Sequence, residues 1–388
     1  MTLQEKKKIF HDWAYGLFIH YGVYSVYGNG EWKMFLERLD PKEYFEKALP
    51  HFHPTYEMGH YWAELAKRFA MRYAVLTTRH HEGYFIGDDV IRGFVDGCRE
   101  YNLGIGLYYS VADWSDPDYC GGPANAENWE RFVQKTHRQI RQIMTDYGQI
   151  DYLFYDACPP GDLWRLMELH KEIRAMQPGL LVSRCNGPDN DLKSCERHTS
   201  GAPDDIWETC DSLNGAWSYN PHDTDWRTPK NVVKLLSTNR HNGGNLLLSI
   251  GPKADGSFQP EVFEVLDKVG DWVRANEEAL FDVEPHPFSY HDREISTSKG
   301  NNAYFRLERN YGPEKRIVGI GNKVNRVTWL VTGEEIRFEQ VKDVVTLFDM
   351  PTEKPDDLPL MIKFELDGAP VGIPNPMQPN MKVKFEGE

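Results

Sequence analysis

No stretch of this 388-residue chain approaches the ~18 consecutive apolar residues that a membrane-spanning helix needs. The opening "MTLQEKKKIFHDW" carries charges but lacks the apolar segment and small-residue cleavage site of a secretion signal. Basic residues are the minority, 44 Lys and Arg against 59 Asp and Glu, and the net charge of −15 argues against a nucleic-acid or anionic-membrane partner. The six cysteines (Cys98, Cys120, Cys158, Cys185, Cys195 and Cys210) form no CxxC pair. They read as reduced thiols of a cytoplasmic protein, with neither a zinc site nor a disulfide framework. Internal repeats and low-complexity tracts are missing too.

Aromatic residues are plentiful. They make up 13% of the chain, with 11 Trp and 20 Tyr, and many stand beside His, Glu, Asp or Asn rather than inside apolar runs. An aromatic face next to polar groups suits a sugar ring, which offers a C–H face for stacking and hydroxyls for hydrogen bonds.

As far as residue ~280, short apolar strands alternate with longer amphipathic segments. "YGLFIHYGVYSV" (15–26), "MRYAVLTT" (71–78), "LGIGLYYS" (103–110), "YLFYD" (152–156), "GLLVSR" (179–184) and "NLLLSIGP" (245–252) read as strands. Helical spacing falls between them, as in "YWAELAKRF" (61–69), "VIRGFVDGCREYN" (90–102) and "WERFVQKTHRQIRQIMTDYG" (129–148). Such alternation implies parallel pairing, and six or more units imply a TIM-like (β/α)8 barrel. After "FDVEPHPF" (281–288) the runs become short and alternating, separated by Gly, Asn, Asp and Pro. These predict an antiparallel β-sandwich, so the expected domains are 1–287 and 288–388, with "GIPNPMQPNMKVKFEGE" as a loosely held arm.

A β/α barrel works at the C-terminal ends of its strands, and those ends collect polar groups here. His20 follows "GLFI", His80-His81 follow "AVLTTR", and Tyr109 lies in "GLYYS" with Asp113-Trp114 beyond. Asp156 follows "YLFY", and Arg184 follows "LLVS". The adjacent histidines, read as strand residues, point to opposite faces and make a poor metal chelate.

The sequence resembles the retaining α-L-fucosidases of glycoside hydrolase family 29 from about residue 10 to residue 285. The likeness rests on "WAYGLFIHYGVYSVYGNGEW", "LTTRHHEGY", "GLYYSVADW", "YGQIDYLFYDA", "WETCDSLNGAWSYN" and "NLLLSIGPKADGSFQPE", in family order. The resemblance implies a (β/α)8 barrel followed by a β-sandwich, and removal of terminal α-L-fucosyl residues by double displacement. It makes Asp156 the nucleophile that attacks the anomeric carbon. The family commonly has Gly after this Asp. Ala157 follows here, a departure expected to be sterically mild.

Carried over in the same way, the fucose-holding residues are His20, Glu31 with Trp32, His80, His81, Tyr109, Arg184 and Trp217. Paired His and a Glu can bind sugar hydroxyls, and Trp32 and Trp217 can pack on the ring and its methyl group. The general acid/base is expected on the loop "SCERHTSGAPDDIWETC", where Thr199 aligns with the family pattern but Gly201 replaces its Glu. Glu196 is the first candidate and Glu208 the second, with Asp204 and Asp205 as outsiders. The acid must have a raised pKa. No cofactor and no metal are expected, and the partner is a fucosylated oligosaccharide or glycoside; a homo-oligomer stays open. Two rival readings remain, a fucose-binding protein that has lost the acid and a related glycosidase accepting galactosides.

Overall fold

A computed structural model describes residues 2–199, 205–288, 295–307, 312–351 and 358–374. Gly201, Asp204 and the arm from residue 375 onward lie outside the described residues. The chain divides into two compact units, one of residues 1–239 with 244–274, the other of 240–243 with 275–388. The boundary expected at 287/288 thus falls inside the second unit.

The first unit is built on eight strands: β1 (Tyr15–Ile19), β2 (Tyr73–Arg79), β3 (Gly104–Ser110), β4 (Tyr152–Asp156), β5 (Leu181–Ser183), β6 (Lys193–Glu196), β7 (Trp207–Ser212) and β8 (Asn245–Ile250). They form one sheet in the order β5-β4-β3-β2-β1-β8-β7-β6, and every neighbouring pair is parallel. This is a nearly closed β/α barrel. β5 and β6 share no ladder. Instead, the chain after β5 turns back, and Asp191 satisfies the edge of that strand. Its amide donates to Val182 O at 2.8 Å, and its carboxylate accepts from Val182 N at 2.8 Å.

Helices cover the outside of the sheet for the reason the spacing suggested. The helix Asp88–Glu100 buries Val90, Ile91, Phe94, Val95 and Cys98 along one stripe. It packs on the helix Tyr56–Arg68 so closely that a Cβ on Gly59 would lie 2.0 Å from Val90 O, and one on Gly93 1.9 Å from Tyr56 O. Glycine is required at both positions by that approach. The opening segment is itself a helix, Leu3–Trp13, started by a capping box of Thr2 and Glu5. Its Phe10 packs edge-on against Tyr152 and tilted against Tyr73, residues at the N-terminal ends of β4 and β2. That end of the barrel is therefore filled, and the opposite end is left for a site.

The second unit contains a four-stranded antiparallel sheet, in the order Val324–Trp329, Leu360–Leu366, Asn302–Leu307 and Ile295–Lys299. A three-stranded antiparallel sheet of Lys315–Val318, Val344–Leu347 and Phe338–Val341 faces it. Phe305, Ile362 and Phe364 from the first sheet share one apolar core with Ile317, Val345 and Leu347 from the second. Two sheets burying a common face make the expected sandwich.

Candidate active site

The C-terminal ends of the barrel strands enclose a cavity of about 270 Å³. Its walls come from Phe18, His20, Trp32, His80, His81, Tyr108, Phe154, Asp156, Arg184, Glu196, Cys210 and Trp217, with Ala157 at the edge. Phe18, Tyr108 and Phe154 pack ring to ring beneath it, which gives the polar groups a rigid apolar support.

Asp156 ends β4, opposite Ser110 of β3. Its Oδ1 accepts from Arg184 Nη2 at 2.8 Å and from the Ala157 amide at 2.9 Å, and its Oδ2 accepts from the Tyr108 hydroxyl at 3.0 Å. Burial works against the charged form, but Arg184 and these donors outweigh it and hold the carboxyl below its usual range. Asp156 is thus an ionised carboxylate with fixed orientation. Arg184, although half-buried, has its pKa raised chiefly by the Asp156 charge, so it stays cationic.

The three histidines are neutral at neutral pH. Burial pushes His20 down to about 3 and His81 down to about 4, and it holds His80 well below its ordinary value. His81 Nε2 lies 3.6 Å from Asp156 Oδ2, and with the ring neutral the two form no ion pair. Their tautomers follow from the neighbouring hydroxyls. Ser110 Oγ lies 2.7 Å from His81 Nδ1 and donates its own hydrogen to Ala112 O, so Nδ1 must be the donor to it. Ser249 Oγ, 2.7 Å from His20 Nδ1, donates likewise to Trp217 O. Both rings then offer Nε2 as an acceptor for a hydroxyl group. His80 Nδ1 is buried without a hydrogen-bond partner among the described residues.

Glu196 ends β6, lines the cavity and is 46% exposed, with Oε2 3.5 Å from Arg184 Nη2. Glu208 lies deeper. It is fully buried within the barrel and accepts from Tyr152 at 2.6 Å and Tyr73 at 2.9 Å. Burial raises its pKa, which was the property sought in the acid, but it does not line the cavity. Another buried acid, Glu82, stands behind the histidines and accepts from Val23 N and the Tyr44 hydroxyl, both at 2.8 Å. Burial pushes it up to about 8.

The family model for α-L-fucosidase matches residues 2–278. The chain belongs to the α-L-fucosidase family. It is a glycoside hydrolase of α-L-fucosides. Tissue α-L-fucosidase of Mus musculus is 25% identical over 410 residues, covering 92% of this chain and 90% of that protein. The rat tissue enzyme (Rattus norvegicus) is 27% identical, with 71% and 70% covered. Among solved structures, α-L-fucosidase isoenzyme 1 from Paenibacillus thiaminolyticus is 29% identical with a TM-score of 0.87, covering 95% of this chain and all of that one. A family 29 fucosidase from Bacteroides thetaiotaomicron, trapped as a covalent intermediate in a glutamate-to-glutamine variant, shares the fold at 23% identity and a TM-score of 0.83. It covers 93% of this chain, and 95% of its own chain is matched.

Against this family background, most of the residues expected from the sequence meet in one place. His20, Trp32, His80, His81, Asp156, Arg184, Glu196 and Trp217 all line the cavity, and three other expected residues do not. Tyr109 points out of the barrel, where its hydroxyl sits 2.5 Å from Arg79 Nη1 and 2.7 Å from Gln139 Oε1. Tyr108 takes the inward position. Strand alternation contained the signal, because Tyr108 and Ser110 share a face, and Ser110 is paired with Asp156. Glu31 acts one step back, accepting from Ser218 N at 3.1 Å and Ser218 Oγ at 2.8 Å beside Trp217. Glu208 is the third. Alternation also misled the reading of His80 and His81. β2 ends at Arg79, so both rings turn to the cavity, 4.0 Å apart. No cluster of three or more metal-ligating side chains occurs among the described residues. Asp205 pairs with Lys7 instead of entering the site.

Proposed function

We propose that the chain removes terminal α-L-fucosyl residues with retention of configuration, with Asp156 as nucleophile and Glu196 as general acid/base. The observation that carries this reading is the shared contact of both carboxylates with Arg184 Nη2, at 2.8 Å for Asp156 and 3.5 Å for Glu196. The two nearest oxygens cannot be farther apart than those distances placed end to end. That limit accommodates the ~5–5.5 Å between the carboxyl groups of retaining enzymes. The trapped covalent intermediate of the Bacteroides relative supports the same chemistry.

In the first step an Asp156 oxygen attacks the anomeric carbon, the bond from that carbon to the leaving oxygen breaks, and protonated Glu196 gives that oxygen its proton. In the second, Glu196 takes a proton from water as the water oxygen attacks the same carbon. The bond from that carbon to the Asp156 oxygen breaks as the water attacks, and both side chains return to their starting states. Neutral His20 and His81 accept hydroxyl hydrogens of the sugar, while Trp217 packs on its apolar side. A cytoplasmic location is part of this reading, supported by six free thiols. Proton NMR of the first-formed sugar tests the mechanism. The α-anomer should appear first, and a burst of β-anomer ahead of mutarotation would overturn double displacement.

A further inference from the structure

The cavity has room for one small ring. At about 270 Å³ it falls below the ~300–1,000 Å³ typical of sites for larger ligands. Phe18 and Phe154 close its floor, so whatever is joined to the fucosyl unit must lie at the mouth. Two cavity-lining side chains mark that mouth by their exposure, Glu196 at 46% and Trp32 at 41%. On the Glu196 side the next residues are Arg197 and His198, both exposed and polar.

The Trp32 side is apolar. Trp32 packs on Trp114 with ring centroids 4.9 Å apart, and Phe35 packs on Trp114 too, also at 4.9 Å and tilted by 32°. Phe35 does not line the cavity and is 54% exposed. The surface is continuous with the sugar-binding wall, because Trp114 also lies 5.1 Å from the His81 ring, and its amide donates to His81 O at 2.8 Å. The short helix carrying Phe35 also holds an ion pair between Lys33 and Glu37, 2.6 Å. An exposed apolar surface joined to a polar catalytic pocket marks a place for ligand.

We propose that Phe35 and Trp114, with the outer edge of Trp32, form the subsite for the pyranose ring of the leaving group. A pyranose offers a C–H face to an aromatic surface and keeps its hydroxyls in water, which matches a platform with one dry side. The inference rests on the fucosidase reading, and its test separates the two.

The test compares α-L-fucosyl fluoride, whose leaving group has no ring, with a fucosyl-galactose disaccharide. Phe35→Ala should raise KM for the disaccharide about 3- to 10-fold, as expected for loss of one aromatic contact, and leave turnover of the fluoride within about twofold. Phe35→Tyr, which keeps the ring, should restore the disaccharide KM. Equal losses on both substrates, or an unchanged disaccharide KM, would overturn the subsite. Turnover of the fluoride also reports that the variant is folded. A wild-type chain inert toward both substrates would overturn the fucosidase reading, and the subsite with it.

Discussion

Asp156 and Glu196 are held by the same atom, Nη2 of Arg184, at 2.8 and 3.5 Å. One positive charge thus borders both carboxylates.

Replacing Asp156 with glycine should abolish hydrolysis and leave the fold intact. Azide should then restore turnover by attacking in place of the carboxylate, giving a glycosyl azide of opposite anomeric configuration. Product analysis by NMR with and without azide is the measurement. Near-normal activity without azide would contradict the nucleophile assignment.

Glu196→Ala and Glu208→Gln should differ in their dependence on the leaving group. Loss of the acid should slow poor leaving groups far more than activated aryl fucosides, by up to about 10²–10⁴-fold, and should flatten the basic limb of the pH–rate profile. Glu208 binds Tyr73 and Tyr152 and does not line the cavity, so its substitution should slow both substrate types about equally and lower Tm. Kinetics on a graded aryl series decide between them, and a reversed pattern would exchange the roles.

Tyr108→Phe removes a hydrogen bond to a charged group, a contribution of about 1.5–3 kcal/mol, and should lower kcat roughly 10- to 100-fold. The Asp156 pKa should rise as a donor is lost, moving the acidic limb of the rate profile to higher pH. Tyr109→Phe should lower Tm and leave kcat and KM close to wild type. Steady-state kinetics of the two variants across pH test the assignment of the inward face.

Ala157→Gly should stabilise the protein. Ala157 has φ +46°, in the left-handed region where a Cβ costs about 1–2 kcal/mol. The departure from the family's glycine is therefore a source of strain and not sterically mild. Allowing for the extra backbone entropy of glycine in the unfolded chain, a gain of ~0.5–1 kcal/mol is expected in urea unfolding. An unchanged or lower midpoint would show that the strain is relieved elsewhere.

Glu82 should make stability fall as pH rises. Its folded pKa, about 8, lies above the ordinary carboxylate value of 4.5. Between those values the folded state keeps a proton that the unfolded chain has released, so rising pH favours unfolding across that window. Glu82→Gln removes the titration, and the difference in Tm between pH 5 and pH 8 should shrink. A pH dependence identical to wild type would place the origin in other groups.

The barrel was legible because short continuous apolar runs such as "YLFYD" alternate with segments of helical spacing such as Asp88–Glu100. Asp156 and Arg184 were legible as polar residues ending apolar runs. Tyr109 was mistaken for Tyr108 because adjacent identical residues are separated only by strand parity, which needs the pairing of Ser110 with Asp156. β6 was missed because "KSCE" has four residues and little apolar character. The commitment of Glu208 to Tyr73 and Tyr152 joins three strands through the barrel interior, and local spacing carries no trace of it.

The missing ladder between β5 and β6 gives the ring of strands a first and a last member. Arg184 follows one end strand and Glu196 closes the other. Their approach at 3.5 Å thus bridges the seam, where every other pair of neighbouring strands is joined by a backbone ladder. End strands open at lower free energy than central ones, so amide exchange should be fastest along β5 and β6. Glu196 and the Arg184–Asp156 pair thus stand on opposite banks of the gap between β5 and β6.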